Sequence, residues 1–243
     1  MRKLIVCLVF VWLLTSSFNL PNEKKYLAQK VADIPMFNSK GEMLYFSSLL
    51  NDKPIIISPV YTRCYSICGI VTSGVQNVVK DLEGLGKDYS VISFSFDSTE
   101  TPKSLAVYES RWILDGTNWR ALSASPENIR KFMTSIGVEY DFIPATNEYN
   151  HPPILVVLTP DGAISRYIYG VSPSVKDLKI SVMEAQAKKV RPGLFTGFYL
   201  RCLKYDPLLQ TYKVDWRFVI GTTAGLLIIF LVTRMFIKSF IIN

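Results

Sequence analysis

Histidine is almost missing from this chain: 243 residues contain one, His151, so any imidazole chemistry falls to that side chain. Cysteine is scarce as well, with four residues, Cys7, Cys64, Cys68 and Cys202, too few for a disulfide scaffold. Dense basic runs with interleaved aromatics are absent. The formal net charge of +7 is spread along the chain, so nucleic acid is not an expected partner. A solvated surface accounts for that excess, with a basic face towards anionic lipid or an acidic partner as the alternative. There is no internal repeat or low-complexity tract. What remains is a length suited to one medium domain with accessory segments, and an apolar content of 49% that can fill a core.

The two ends are hydrophobic in different ways. Arg2 and Lys3 precede an apolar run from Leu4 to Leu14, followed by Thr15, Ser16 and Ser17. That layout predicts a secretory signal over 1–17, with an uncleaved anchor as the alternative. The run is short against the roughly 20 residues a bilayer needs. Cys7 would leave with the signal. The other end is mostly apolar from Phe218 to Val232 and beyond, with Trp216 placed as an interfacial aromatic and Arg234 and Lys238 placed to snorkel. It predicts a transmembrane helix over 216–238, a juxtamembrane segment over 201–215 and a cytoplasmic tail over 239–243. A buried helix is the alternative. The domain between, 18–200, is then expected on the periplasmic side of a cell inner membrane, in an oxidising compartment. Three cysteines remain there, and they can form at most one intramolecular disulfide.

Within 18–200, "NSKG" predicts a hairpin turn and "KPIIISPVY" a buried strand. "GIVTSGVQNVVKDLEGLG" has Ile70, Val71, Val75, Val78, Val79 and Leu82 at helical spacing, ended by Gly84 and Gly86. "DYSVISFSFD" predicts a second strand with alternating apolar positions. Two helices follow, at "TPKSLAVYESRW" and "SPENIRKFMTSIG", with Thr101 and Ser125 as caps and Pro102 and Pro126 at the first helical positions. "PILVVLTPDGAISRYIYG" predicts two strands turning at Pro160, Asp161 and Gly162, and "SPSVKDLKISVMEAQAKK" a last helix. The order strand–helix–strand–helix–helix–hairpin–helix is α/β. Its early βα units imply parallel strands and its late hairpin an antiparallel edge, which is how a thioredoxin-like domain with a central mixed sheet flanked by helices is ordered.

In that order Cys64 and Cys68 lie between the first core strand and its helix. Residues four apart share a helix face, and N–H groups at a helix start lower thiol pKa values. Three chemistries suit such a pair. A structural disulfide closing so short a loop gains little. A thiol–disulfide exchange pair of thioredoxin type uses two intervening residues, whereas here there are three. Two thiolates can also bind a soft metal, and with an imidazole they suit copper, but they need a third ligand. A thioredoxin-like order places the loop before the late hairpin across from the cysteine turn. His151 stands in that loop, stiffened by Pro152 and Pro153. A lone loop histidine with no role is the alternative. The peroxidase signature of the same fold is not matched, since Thr62 is two residues before Cys64 rather than three.

The segments "VYTRCYSIC", "SFSFDSTETP", "NHPPILVVLTPDGAISRYIYG" and "LRCLKYDP", over roughly residues 30 to 235, resemble the Sco/SenC family of membrane-anchored copper proteins, in particular a bacterial branch with a C-terminal transmembrane helix. The resemblance implies a thioredoxin-like fold and one copper ion, Cu(I) or Cu(II), held by Cys64, Cys68 and His151. It implies copper delivery to, or maturation of, the dinuclear copper A site in subunit II of cytochrome c oxidase or another cuproprotein, with an upstream copper donor as a further partner. The alternative is a membrane-tethered thiol–disulfide oxidoreductase acting on a partner's cysteines, with Cys64 and Cys68 as its redox pair. Family members often carry proline after one or both cysteines; here Tyr65 and Gly69 stand there, and Gly69 loosens the helix start. Asp97 matches the family's acidic loop and is a candidate weak ligand or supporting group, or else a plain cap for the next helix. For Cys202 a buried apolar thiol is expected.

Overall fold

The computed structural model describes residues 20–64, 67–113, 115–190, 203–206, 211–214, 220–225, 227–230 and 234. After a short helix α1 (Glu23–Tyr26), a hairpin β1 (Pro35–Asn38) and β2 (Met43–Tyr45) turns at the "NSKG" stretch, where Asn38 Oδ1 accepts from the N–H groups of Lys40 and Glu42. The core follows as β3 (Ile55–Val60), α2 (Ile67–Leu82), β4 (Ser90–Ser95), α3 (Pro102–Trp112), β5 (Trp119–Ser123) and α4 (Pro126–Ser135). A small hairpin, β6 (Asp141–Ile143) and β7 (Glu148–Asn150), leads into β8 (Ile154–Leu158), β9 (Ile164–Tyr169) and α5 (Val175–Gln186).

One seven-stranded sheet has the order β2-β1-β5-β4-β3-β8-β9. Strands β3, β4 and β5 run parallel, while β1, β2, β8 and β9 pair antiparallel with their neighbours. The mixed α/β sheet expected from the sequence is therefore present, with two additions. Strand β5 is absent from the sequence-derived order, because five residues centred on Ala121, with Arg120 and Ser123 among them, carry little alternation. Its strand character is imposed by partners: β4 pairs on one side and β1 on the other, and the Trp119 indole donates to Ser93 Oγ at 3.0 Å. The β6–β7 hairpin is the second addition to the fold and forms a separate two-stranded sheet.

Helices cover both faces of the sheet, and β4 shows how. Neighbouring residues on a strand point to opposite faces. Phe94 meets Phe132 of α4 at a ring separation of 4.5 Å, while Ser93 accepts from the Tyr108 hydroxyl of α3 at 3.2 Å. The Tyr108 hydroxyl also reaches Thr72 Oγ1 of α2 at 2.9 Å, so α2 and α3 share a face and α4 lies on the other. Strand β4 is consequently buried along Val91–Ser95 instead of on alternate positions, as a doubly covered parallel strand must be. Fully burying one such Phe side chain stabilises the fold by about 1.5–3 kcal/mol.

The caps read from the sequence are in place. Thr101 Oγ1 accepts from Ser104 N and the Ser104 hydroxyl accepts from Thr101 N, a reciprocal capping box at α3. Ser125 caps α4 and Ser174 caps α5. Helix α2 buries Val71, Val75, Val78 and Val79 and leaves Ile70 exposed. It seats closely on the chain after β9: a Cβ on Gly74 would lie 2.6 Å from the Val171 carbonyl oxygen. Gly74→Ala is therefore expected to destabilise the domain by about 1–3 kcal/mol, because backbone cannot yield as a side-chain tip can. A urea midpoint equal to that of the parent protein would refute this.

The expected signal over 1–17, Cys7, Tyr65, Cys202, Trp216, Lys238 and the tail over 239–243 lie outside the described residues. The expected juxtamembrane segment contains a two-stranded hairpin, β10 (Leu203–Asp206) and β11 (Thr211–Val214). The expected span over 216–238 is described only in part, as helical stretches exposing Ile220, Leu227, Ile228, Ile229 and Phe230. Among the described residues no helix is long and apolar enough to cross a membrane.

Candidate metal centre

Strand β3 ends at Val60, and Tyr61 remains buried before the chain turns at Thr62–Arg63. Cys64 N donates to the Tyr61 carbonyl at 3.2 Å, closing that turn, and Cys64 is a half-buried thiol packed against the core. Cys68 is the second residue of α2; its side chain lies outside the described part. Both cysteines are thus at the strand-to-helix switch, as the sequence predicts.

His151 arrives from the other direction. Strand β8 pairs antiparallel with β3 as far as Ile57 opposite Val156, and the loop before β8 brings the His151 ring to within 6.1 Å of the ring of Tyr61, three residues before Cys64. The His151 ring is buried and edge-on to Phe96 and Tyr61, with centroids 4.9 and 6.1 Å away. Burial pushes the His151 pKa below the usual imidazole range, and the charge of the nearby Cys64 thiolate pulls it partly back. Nδ1 lies 3.1 Å from the Pro152 carbonyl oxygen. With a proton on Nδ1 donating there, Nε2 is the ring nitrogen that carries the lone pair. A half-buried thiol near a buried imidazole whose protonation is disfavoured fits a soft cation. Among the described residues no three His, Cys, Asp or Glu side chains gather into a metal-holding group, and the Cys68 thiol is not among the described side chains.

Asp97 is 1% exposed and occupied by protein donors. Arg63 Nε donates to its Oδ2 at 2.7 Å, Thr99 N and Oγ1 both donate to Oδ1 at 2.9 Å, and the Tyr149 hydroxyl approaches Oδ1 at 3.5 Å. The cap of α3 is Thr101, so Asp97 is not that helix's cap; it braces its own turn and Arg63. Burial raises the Asp97 pKa, but the Arg63 and Thr99 hydrogen bonds outweigh it and hold the carboxyl below the ordinary range. A depressed carboxyl adds stability that is present above the unfolded value of about 3.9 and disappears as pH falls through the folded one. Asp97→Asn should therefore flatten the loss of stability below about pH 4. An acid-unfolding curve of unchanged slope in that variant would remove this assignment.

Sequence reasoning did not single out Arg63, Glu100, Tyr61, Phe96 or Tyr149 for the site. Thr62 donates through N and Oγ1 to Glu100 at 3.3 and 2.8 Å, and the Ser95 and Ser104 hydroxyls also donate to Glu100. Proximity of these residues to "CYSIC" in sequence was the one available signal for Arg63 and Tyr61.

A thioredoxin-like α/β domain with a strand-to-helix cysteine pair and a buried histidine opposite it defines the class. The SCO1/SenC family profile matches residues 28–182, and the chain belongs to that family. The match stops short of "CLKYDP" and the C-terminal apolar run. None of the curated proteins matches the chain. Among solved structures, a candidate electron transport protein of Aquifex aeolicus is 31% identical, with a TM-score of 0.59 over 66% of this chain and 99% of that one. BsSco, a member of the Sco family of cytochrome c oxidase assembly proteins in which a disulfide switch was identified, is 23% identical, with a TM-score of 0.58 over 70% and 98%. ScoI of Bradyrhizobium japonicum with copper bound is 18% identical, with a TM-score of 0.56 over 64% and 99%. At these last two identities the likeness is one of fold.

Proposed function

We propose that the protein is a copper metallochaperone of the cell envelope, taking copper as cargo at Cys64, Cys68 and His151 and passing it to the copper A site of cytochrome c oxidase or to a related cuproprotein. The observation that carries this is His151: buried, with its protonation disfavoured by that burial, and lodged against Tyr61 three residues before Cys64. Thiol exchange has no need of it. Membership of a family that includes copper-bound and oxidase-assembly proteins supports the reading. Loading needs both thiols reduced and deprotonated and the imidazole neutral. Oxidation of the pair to a disulfide would release the metal. Reduced protein purified after copper exposure should carry close to one copper per chain. Protein that retains no copper after desalting, with its thiols shown to be reduced, would rule the proposal out.

The thiol–disulfide oxidoreductase remains the second reading, favoured by one feature. Cys64 immediately precedes the chain leading into α2 and Cys68 lies in that helix's first turn, where the helix N-terminus favours thiolates.

The placement proposed is periplasmic, with the C-terminal apolar run as a tether to the inner membrane and the N-terminal run as a cleaved signal or anchor. The supporting features are the Arg2–Lys3 start, the apolar runs at both ends and a cysteine pair that an oxidising compartment would regulate. A reporter active only in the cytoplasm, fused after Lys188, should be silent; activity there would end this topology.

A further inference from the structure

We infer that Arg63 is a positioning residue for the metal site: paired with Asp97, it clamps the loop carrying Cys64 to the loop carrying His151. The inference rests on the copper reading above and extends it to residues that bind no metal.

Arg63 is the residue before Cys64, and its contact to Asp97 is direct, Nε to Oδ2 at 2.7 Å. Asp97 follows β4 and is almost completely buried. Its other oxygen is approached by the hydroxyl of Tyr149, two residues before His151. Asp97 therefore touches a residue near Cys64 and a residue near His151, two of the three proposed ligands. Tyr149 also packs edge-on against Tyr61, 5.2 Å away, so the polar link is backed by an apolar one. Thr62, one residue further back, is tied to Glu100 through both its N–H and its hydroxyl. Two consecutive residues ahead of Cys64 are thus anchored to two separate carboxylates of the loop after β4.

The physical need is plain. The cysteine turn is an irregular segment between β3 and α2, and fixing each backbone residue of such a segment costs about 1–2 kcal/mol. A ligand loop left loose by about 1 Å makes a poor site. The carboxylate ties hold Thr62 and Arg63 before any metal arrives, so the Cys64 sulfur is presented towards His151 in the apo protein. Asp97 can serve as the fixed end because Thr99 supplies it with two further hydrogen bonds within its own turn. The Arg63 side chain is 42% exposed, so its replacement leaves the interior packed and makes it the cleaner probe.

The test uses the full chain with Arg63→Gln, Asp97→Asn and the double substitution. Cu(I) affinity is measured by competition with a chromophoric chelator. In parallel, in a Cys68→Ser background, the alkylation rate of Cys64 is read by peptide mass at a pH high enough that the thiol is fully ionised, so the rate reports access. Each single variant should lose about 10–100-fold in copper affinity, the usual cost of removing support from a ligand. Each should also alkylate several times faster. The double variant should be within about threefold of the weaker single, since both remove one clamp. Affinity losses that multiply in the double variant, or a Cys64 alkylation rate equal to the parent's in Arg63→Gln, overturn the inference. Should the parent bind no copper, the copper reading falls and the alkylation rates alone decide the clamp. Should Asp97→Asn fail to fold by thermal melting, Arg63→Gln decides it.

Discussion

Replacing Cys64 or Cys68 by serine is expected to abolish tight copper binding. A hydroxyl at either position is a hard, protonated donor where the proposed site uses a soft thiolate. One thiolate and one imidazole leave a soft cation under-coordinated and open to any competing thiol. The loss should be nearly complete in each single variant, because the two sulfurs act on the same ion and do not substitute for one another. The fold should survive: Cys64 is half-buried at the edge of the core and serine is smaller, so thermal unfolding should change little. The measurement is copper retained per chain after desalting in the presence of a thiol competitor. Retention of parent-level copper by either variant would remove that cysteine from the site.

His151→Ala separates the two functional readings, which the cysteine variants cannot do because both need the thiols. If the protein is a chaperone, this variant should bind copper orders of magnitude more weakly through a two-thiolate remnant, since contacts that support a ligand do not replace the ligand itself. Recipient metallation should fail with it. Exchange of its thiols with a small disulfide should continue at a near-parent rate, as thiolate reactivity is governed by local pKa and access at the helix start. In cells, an oxidase defect relieved by added copper is expected, because mass action makes up for a weakened carrier. Full oxidase assembly by His151→Ala at limiting copper, with the cysteine variants failing, would leave the oxidoreductase as the function. The buried imidazole adds a pH signature. Burial lowers its pKa, so any loss of copper affinity through histidine protonation should set in at a more acid pH than for a solvent-exposed imidazole.

Much of this was legible in the residues. The strand at "KPIIISPVY", the helix after the cysteines, the caps at Thr101 and Ser125 and the turn at Pro160–Gly162 are local signals, each set by side-chain spacing or a backbone preference within one turn of chain. The cysteine pair and the lone histidine could be named because their scarcity left no competitors. Other features were out of reach. Strand β5 has little strand pattern of its own and exists because β4 and β1 supply its hydrogen bonds. In the sequence Asp97 reads as a weak ligand, a supporting group or a cap; its pairing with Arg63 depends on which loop the fold lays beside the carboxylate. By itself the sequence determined the order of elements and the inventory of reactive groups, because those follow from neighbours along the chain. Only the tertiary structure decided that His151 is buried edge-on against Phe96 and Tyr61 and that Arg63, Asp97 and Tyr149 bridge the two loops. Those relations depend on antiparallel pairing between strands almost 100 residues apart and on the low dielectric created when both faces of the sheet are covered.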